Sequence, residues 1–257
     1  MTKNMLVDNQ ENLSDLQQWF KSEQGLELLD AQRRTINRLL PNLFGYFLVE
    51  IAVNTDMQLS SESLVVNKVT VGAEHQLGLP DKTVLCDTTE LPFEHNSIDV
   101  VILHHALDFT DAPHQVLREA YRVLRPGGYL VLIGFNSASW WGVTKLCKCK
   151  VKAPWQHANF LSQGRLTDWM RLLGLTPVRS LSDYYLPPFA SLKWRKRFEK
   201  VQAYGRRSMP KNGAFTVNLA RKDIEGMTPI TKIKPVSKFY KLQVRKPATR
   251  EQTRERS

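Results

Sequence analysis

Two adjacent histidines, His104 and His105, close the apolar run Ile98 to Leu103, and Asp87 and Thr88 close the shorter run Thr83 to Cys86. An imidazole with its ordinary pKa of about 6.5 can take a proton from an oxygen or nitrogen nucleophile, so a histidine at a ligand crevice is a candidate general base. It can equally be a packing residue held by hydrogen bonds. Neighbouring side chains on a strand point to opposite faces, so one histidine of the pair is expected to face a site; His105 is the candidate base. Asp87 has a local alternative too, because an Asp just after a strand commonly caps its own turn. The stretch from Phe135 to Gly142 adds polar groups and two indoles, Trp140 and Trp141. They can shape a substrate pocket or pack under the next helix; burial is favoured for large aromatics.

These residues converge only if each follows a strand of one sheet. Tyr46 to Val53, Leu64 to Val71, Thr83 to Cys86 and Ile98 to Leu103 have the length and apolar content of strands, Asp99 being the odd polar residue in the last. Asp111 is placed to cap a helix that has Pro113 near its start and Val116, Leu117, Ala120, Val123 and Leu124 on one face. Arg125-Pro126-Gly127-Gly128 ends that helix, and Tyr129 to Phe135 returns as a strand. Strand, helix, turn and strand make a βαβ unit with a right-handed crossover. Downstream, Leu161 to Leu173 reads as a helix stopped by Gly174, and Thr176 to Leu181 and Ala214 to Ala220 read as strands. Upstream, Ser14 to Leu40 reads as helical, with Gly25 dividing two helices and Pro41 ending the second. The ligand crevice of such a sheet lies beyond the carboxyl ends of its strands. That places Ala52 to Asp56, Asp87, Thr88, His104 to Asp108 and Phe135 to Trp141 around it.

Length and composition bound the rest. A chain of 257 residues, 42% hydrophobic and 24% charged, suits one main domain. Its longest apolar stretch, Leu43 to Val53, is too short to span a membrane, and the first twenty residues lack the order of a secretory signal, so a cytoplasmic location is expected. Three cysteines, Cys86, Cys147 and Cys149, argue against a disulfide framework, and no histidine or cysteine cluster completes a zinc set, so no metal site is expected. The net charge of +11 is uneven: residues 1–192 carry 17 basic and 20 acidic side chains, residues 193–257 carry 19 and 5. The excess includes Lys193, Arg195, Lys196, Arg197, Arg206 and Arg207, a patch able to screen phosphates.

The run Cys86-Asp87-Thr88-Thr89-Glu90-Leu91-Pro92-Phe93, the Ser97-Ile98-Asp99 start of the next strand and Arg122-Val123-Leu124-Arg125-Pro126-Gly127-Gly128 together resemble class I S-adenosylmethionine-dependent methyltransferases. The resemblance spans about residues 43–181 and is strongest over 84–136. It implies an α/β fold: a Rossmann-like, seven-stranded, mostly parallel sheet with helices on both faces. N-terminal helices over 1–42 would form a lid, 43–221 the methyltransferase-like domain, and 222–257 a basic tail without fixed structure. It implies S-adenosylmethionine as cofactor, with Asp87 accepting from the adenine amino group and Thr88 touching the ring. Glu50 corresponds to the acid of the first strand, Ala52 and Asn54 stand where the family has loop glycines, and His104 lies beside the methyl donor. Asp56 replaces a further glycine, and Glu74 is the nearest acid for the ribose.

Methyl transfer to a small-molecule acceptor is the function this pattern points to. The alternative is a cofactor-free binding module that uses the basic region on nucleic acid or an acidic partner, a reading favoured by the missing glycines. A nicotinamide oxidoreductase would need Gly-x-Gly-x-x-Gly after the first strand, which is absent near Val53.

Overall fold

The computed structural model describes residues 14–53, 58–72, 82–147, 154–188 and 199–223. Seven strands form one sheet in the order β3-β2-β1-β4-β5-β7-β6: β1 (Phe47–Ala52), β2 (Asn67–Gly72), β3 (Thr83–Leu85), β4 (Ile98–His104), β5 (Leu124–Phe135), β6 (Leu175–Asp183) and β7 (Phe215–Lys222). Strands β1 to β5 pair in parallel, and β7 runs antiparallel between β5 and β6. The chain moves outward from β1 to β3 and then returns to place β4 on the other side of β1. That reversal makes the β1/β4 boundary the switch point, where open α/β sheets bind ligands.

Every residue of β4 is buried, which explains its nearly unbroken apolar run. Val100 and Ile102 join a core with Leu48, Val131, Ile133 and Val217 on one face, whereas Val101 and Leu103 join Val49, Ile51, Leu130 and Leu132 on the other. Helices cover both faces. The first core takes in residues of α1 (residues 14–20), α2 (Glu23–Ile36) and α4 (Trp140–Leu146), and the second takes in α3 (Pro113–Val123) and α5 (Gln163–Leu172). A sixth helix, α6 (Glu199–Ser208), precedes β7. Leu16, Phe20, Leu28 and Ile36 are fully buried, so the N-terminal helices are part of the core that holds the sheet.

Several expected boundaries moved: Leu124 and Arg125 to Gly128, expected as the end of α3 and its turn, belong to β5, and three further shifts have a local chemical reason. The break between α1 and α2 lies at Ser22 instead of Gly25, because the Ser22 hydroxyl accepts from the Gly25 amide at 3.2 Å and so caps α2. Helix α3 begins at Pro113, and its N-cap position is Ala112 and not Asp111. Strand β7 continues through Lys222, one residue beyond the expected end of the domain. Lys222 is buried, and its Nζ donates to the Tyr121 and Leu124 carbonyls and to Asn96 Oδ1 at 2.7–2.8 Å. A cation at the carbonyl end of α3 is also favoured by the helix dipole.

Asp99 likewise finds its reason here. Its Oδ2 accepts from the Tyr46 and Phe47 amides at 2.7 and 2.9 Å, while Arg125 pairs with Oδ1 at 2.5 Å, so one carboxylate ties the start of β4 to the start of β1. Gly45 makes room for it, since a Cβ there would lie 2.3 Å from Asp99 Cβ.

Candidate active site at the ends of β1, β3 and β4

His104 and His105 do not point to opposite faces. His105 has φ +54°, a left-handed backbone that ends the strand's alternation, and the two rings lie 4.8 Å apart between centroids. Gln32 of α2 joins them: its Nε2 is 2.8 Å from His105 Nε2, and its Oε1 is 2.9 Å from His104 Nε2. An amide nitrogen only donates and an amide oxygen only accepts, which fixes both tautomers. His105 therefore accepts at Nε2 and donates from Nδ1 to Asp108 Oδ2, 2.7 Å away. His104 donates from Nε2, and its buried Nδ1 has no hydrogen-bond partner among the described residues.

The whole chain Asp108–His105–Gln32–His104 is dry, each member being 0–2 % exposed. Burial holds His104 well below the ordinary histidine value, and the neighbouring His105 lowers it further. Burial alone pushes His105 down to about 3. Asp108 moves the other way: burial raises its carboxyl well above the usual range, opposed by the Phe135 amide at 2.9 Å and the charge of Lys145. With His105 neutral, its contact with Asp108 is a hydrogen bond and not an ion pair. The expectation of His105 as general base meets a plain obstacle, since both its nitrogens are engaged and no solvent reaches the ring.

Glu50 is also occupied. Its Oε1 accepts from the Leu59 amide at 2.9 Å and its Oε2 from the Ser60 amide at 3.0 Å, so it anchors the chain that returns after residues 54–57. Burial raises the Glu50 carboxyl, while these hydrogen bonds and Arg33 hold it down. Ala52 ends β1 directly beside His104 in register. Asn54 and Asp56 lie outside the described residues, as does Glu74.

At the end of β3, Asp87 is exposed and Thr88 is half-buried. The Asp87 Oδ1 accepts from both the amide and the hydroxyl of Thr89 at 2.8 Å, which is the local turn cap that its position suggested. Its Oδ2 takes no hydrogen bond from a described residue and stays open to a ligand.

The two indoles have parted roles. Trp141 is fully buried, donates from Nε1 to the Leu186 carbonyl at 2.9 Å and stacks on Phe135, whereas Trp140 is exposed. Two concavities open beyond β5 on either side of Ser137. One is an open groove of about 760 Å³ bordered by Lys145, Phe160, Arg165 and Trp169; the other, about 530 Å³, is bordered by Gln163, Ser180, Ser182 and Thr216.

Of the basic patch, Lys193, Arg195, Lys196 and Arg197 lie outside the described residues, as does the chain from 224 onward. Arg206 and Arg207 are both exposed, and Arg206 is paired with Asp183 through two bonds of 3.0 Å. Among the described residues no group of three or more His, Cys, Asp or Glu side chains could hold a metal ion, and no helix is long and apolar enough to cross a membrane.

Sequence reasoning missed Gln32 and the role of Asp108. A signal for Gln32 was present, because it falls in step with Leu28, Leu29 and Ile36 on the buried side of α2, where helical spacing calls for an apolar residue. Asp108 had only its place three residues after His105.

Comparison with known proteins bears on the fold that carries this site. A family model described as a methyltransferase domain matches residues 46–132, from just before β1 into β5. YafS of Escherichia coli, itself uncharacterized, is 31% identical over 193 residues, covering 75% of each chain. The ubiquinone/menaquinone biosynthesis C-methyltransferase UbiE of a Ruegeria species is 38% identical over 60 residues, 23% of this chain and 24% of that one. Among solved structures, a SAM-dependent methyltransferase of Thermotoga maritima has a TM-score of 0.59 at 20% identity, covering 82% of this chain and all of the other. A methyltransferase in complex with the Trm112 activator of Haloferax volcanii also gives 0.59, at 15% identity, with 84% and 99% covered.

Proposed function

Since the chain belongs to the class I S-adenosylmethionine-dependent methyltransferases, we propose that it moves a methyl group from S-adenosylmethionine to a small-molecule acceptor at the carboxyl edge of its sheet. The observation that carries this reading is the open Asp87 Oδ2 at the end of β3, two strands from the β1/β4 switch point. An exposed carboxylate oxygen outside its own turn suits an exocyclic amine such as that of adenine, so the residues present fit the cofactor. When bound, the sulfonium supplies an electrophilic methyl carbon and a neutral thioether as leaving group.

The protein's share of the chemistry is placement. Asp87 and Thr88 hold the purine end. Ala52 and Asn54 receive the methionine end, Ala52 through a side chain small enough for close approach. Glu50 acts indirectly, by holding the Leu59 and Ser60 amides. His104, backed by Gln32, His105 and Asp108, forms a dry floor that excludes water beside Ala52. Alignment of donor and acceptor in a desolvated site accounts for methyl transfer without a dedicated acid–base pair. The test is incubation of the purified protein with methyl-labelled S-adenosylmethionine and a fractionated cell extract. Label in the small-molecule fraction, lost in Asp87→Ala, is the expected result. Label only in nucleic acid or protein overturns the acceptor class, and no label in any fraction overturns the activity.

A further inference from the structure

The 760 Å³ groove lies where β4 and β5 end, with Ser137 two residues past β5, and its size is that of a small-molecule site. Its walls carry a specific chemistry. Trp169 of α5 and His114 of α3 stand with ring centroids 3.7 Å apart, and Phe160 faces Lys145, whose Nζ is 5.0 Å from the ring centroid. Phe160 also stacks on Phe135, with ring centroids 5.0 Å apart, so the groove is walled by aromatic rings of the kind that border a flat, apolar ligand.

Two cations border the same space. Lys145 is pinned in place by donation to the Ala158 carbonyl, and burial lowers its ammonium from the ordinary lysine value, opposed by Asp108. Arg165 is exposed, and its guanidinium makes no hydrogen bond or ion pair with a described residue. A guanidinium presents a planar fork that matches a carboxylate with two parallel N–H donors. Asp111 is the acidic side chain at this groove, and it already has an interaction of its own. Lys145 is engaged by Ala158 and by the charge of Asp108, so Arg165 is the cation at this groove left to complement a monoanion. Helix α3 adds the same sign, since it opens on this side.

We propose that this groove is the acceptor site and that the acceptor is an aromatic carboxylate, its ring between Trp169 and Phe160 and its carboxylate on Arg165. The inference rests on the methyl-transfer reading for the word acceptor, and on the groove alone for the ligand class.

The test titrates the full chain with 1-naphthoate, 1-naphthyl phosphate and the neutral 1-naphthalenemethanol, followed by calorimetry and by Trp fluorescence, with S-adenosylmethionine titrated in parallel. Naphthoate is expected to bind about tenfold tighter than the alcohol, and Arg165→Ala to remove that difference while leaving the alcohol unchanged. Trp169→Leu weakens both ligands; should it fail to fold, the exposed Arg165→Ala still decides. Equal binding of acid and alcohol, or an unchanged naphthoate affinity in Arg165→Ala, overturns the inference. Tighter binding of the phosphate overturns the carboxylate assignment. Cofactor binding without naphthoate binding sinks the groove assignment alone, whereas naphthoate binding without cofactor binding sinks the methyl-transfer reading and keeps the groove as a carboxylate site.

Discussion

Gln32 donates to His105 across 2.8 Å, and through that bond an N-terminal helix reaches the end of the central strand. The same amide accepts from His104, so a single side chain satisfies two buried rings. Replacing it with leucine keeps the volume but strands a donor and an acceptor in a dry core. Gln32→Leu is expected to lose about 2–6 kcal/mol of stability, from a penalty of about 1–3 for each of the two unpaired buried groups. Urea denaturation measures it; a loss within error would mean that the histidines find other partners.

Acid should weaken the fold through the same cluster. His105 is held at about 3 and His104 well below its ordinary value, while both return to about 6.5 when unfolded. Between those values the unfolded chain binds more protons than the native one, so stability rises with pH and is fully present above about 6.5. It is lost as pH falls, by up to about 1.4 kcal/mol per pH unit for each histidine. Asp108 works in the opposite direction: its raised value makes its share complete below the ordinary carboxylate range and smaller as pH rises through the folded value. Urea midpoints at pH 7 and pH 5 should therefore fall on the acid side. A His104→Gln/His105→Gln variant should show a flatter slope.

Lys222 closes the domain with three hydrogen bonds from a buried ammonium. Lys222→Met keeps the apolar stem and deletes the donors, leaving the Tyr121 and Leu124 carbonyls unpaired. A loss of at least about 1.5–3 kcal/mol is expected, the range for one bond to a charged group, seen as a lower Tm. Truncation after Leu219, which removes Lys222 and the end of β7, should prevent folding.

Gly45 is fixed by Asp99. In Gly45→Ala the new methyl would meet the Asp99 side chain at 2.3 Å, so the carboxylate must leave the Tyr46 and Phe47 amides. A cost of about 1–3 kcal/mol follows from overpacking. Asp99→Ala in the same background should cost little more, because the contact is already broken.

The fold was legible where one local rule governed each residue. Strand β4, the Pro113 start and apolar face of α3, and the Gly174 stop of α5, which has φ +83°, all follow from burial on two faces, helical spacing and left-handed turns. The site was less legible because its parts depend on distant partners. Nothing near His104 in the sequence announces Gln32, 72 residues earlier, or a left-handed backbone at His105. Glu50 was visible as the acid of the first strand, but its engagement by Leu59 and Ser60 depends on contacts nine and ten residues away. Asp87 carried two readings, and its two carboxylate oxygens allow both: Oδ1 caps the turn and Oδ2 is left open.

Direct titration of the purified protein with S-adenosylmethionine by calorimetry bears on the central claim most closely. The account predicts micromolar binding that weakens about tenfold in Asp87→Ala, a loss of about 1.4 kcal/mol, and stays unchanged in Thr89→Ala, which disturbs the turn but keeps the carboxylate. No heat at millimolar cofactor, or equal effects of the two substitutions, would contradict it.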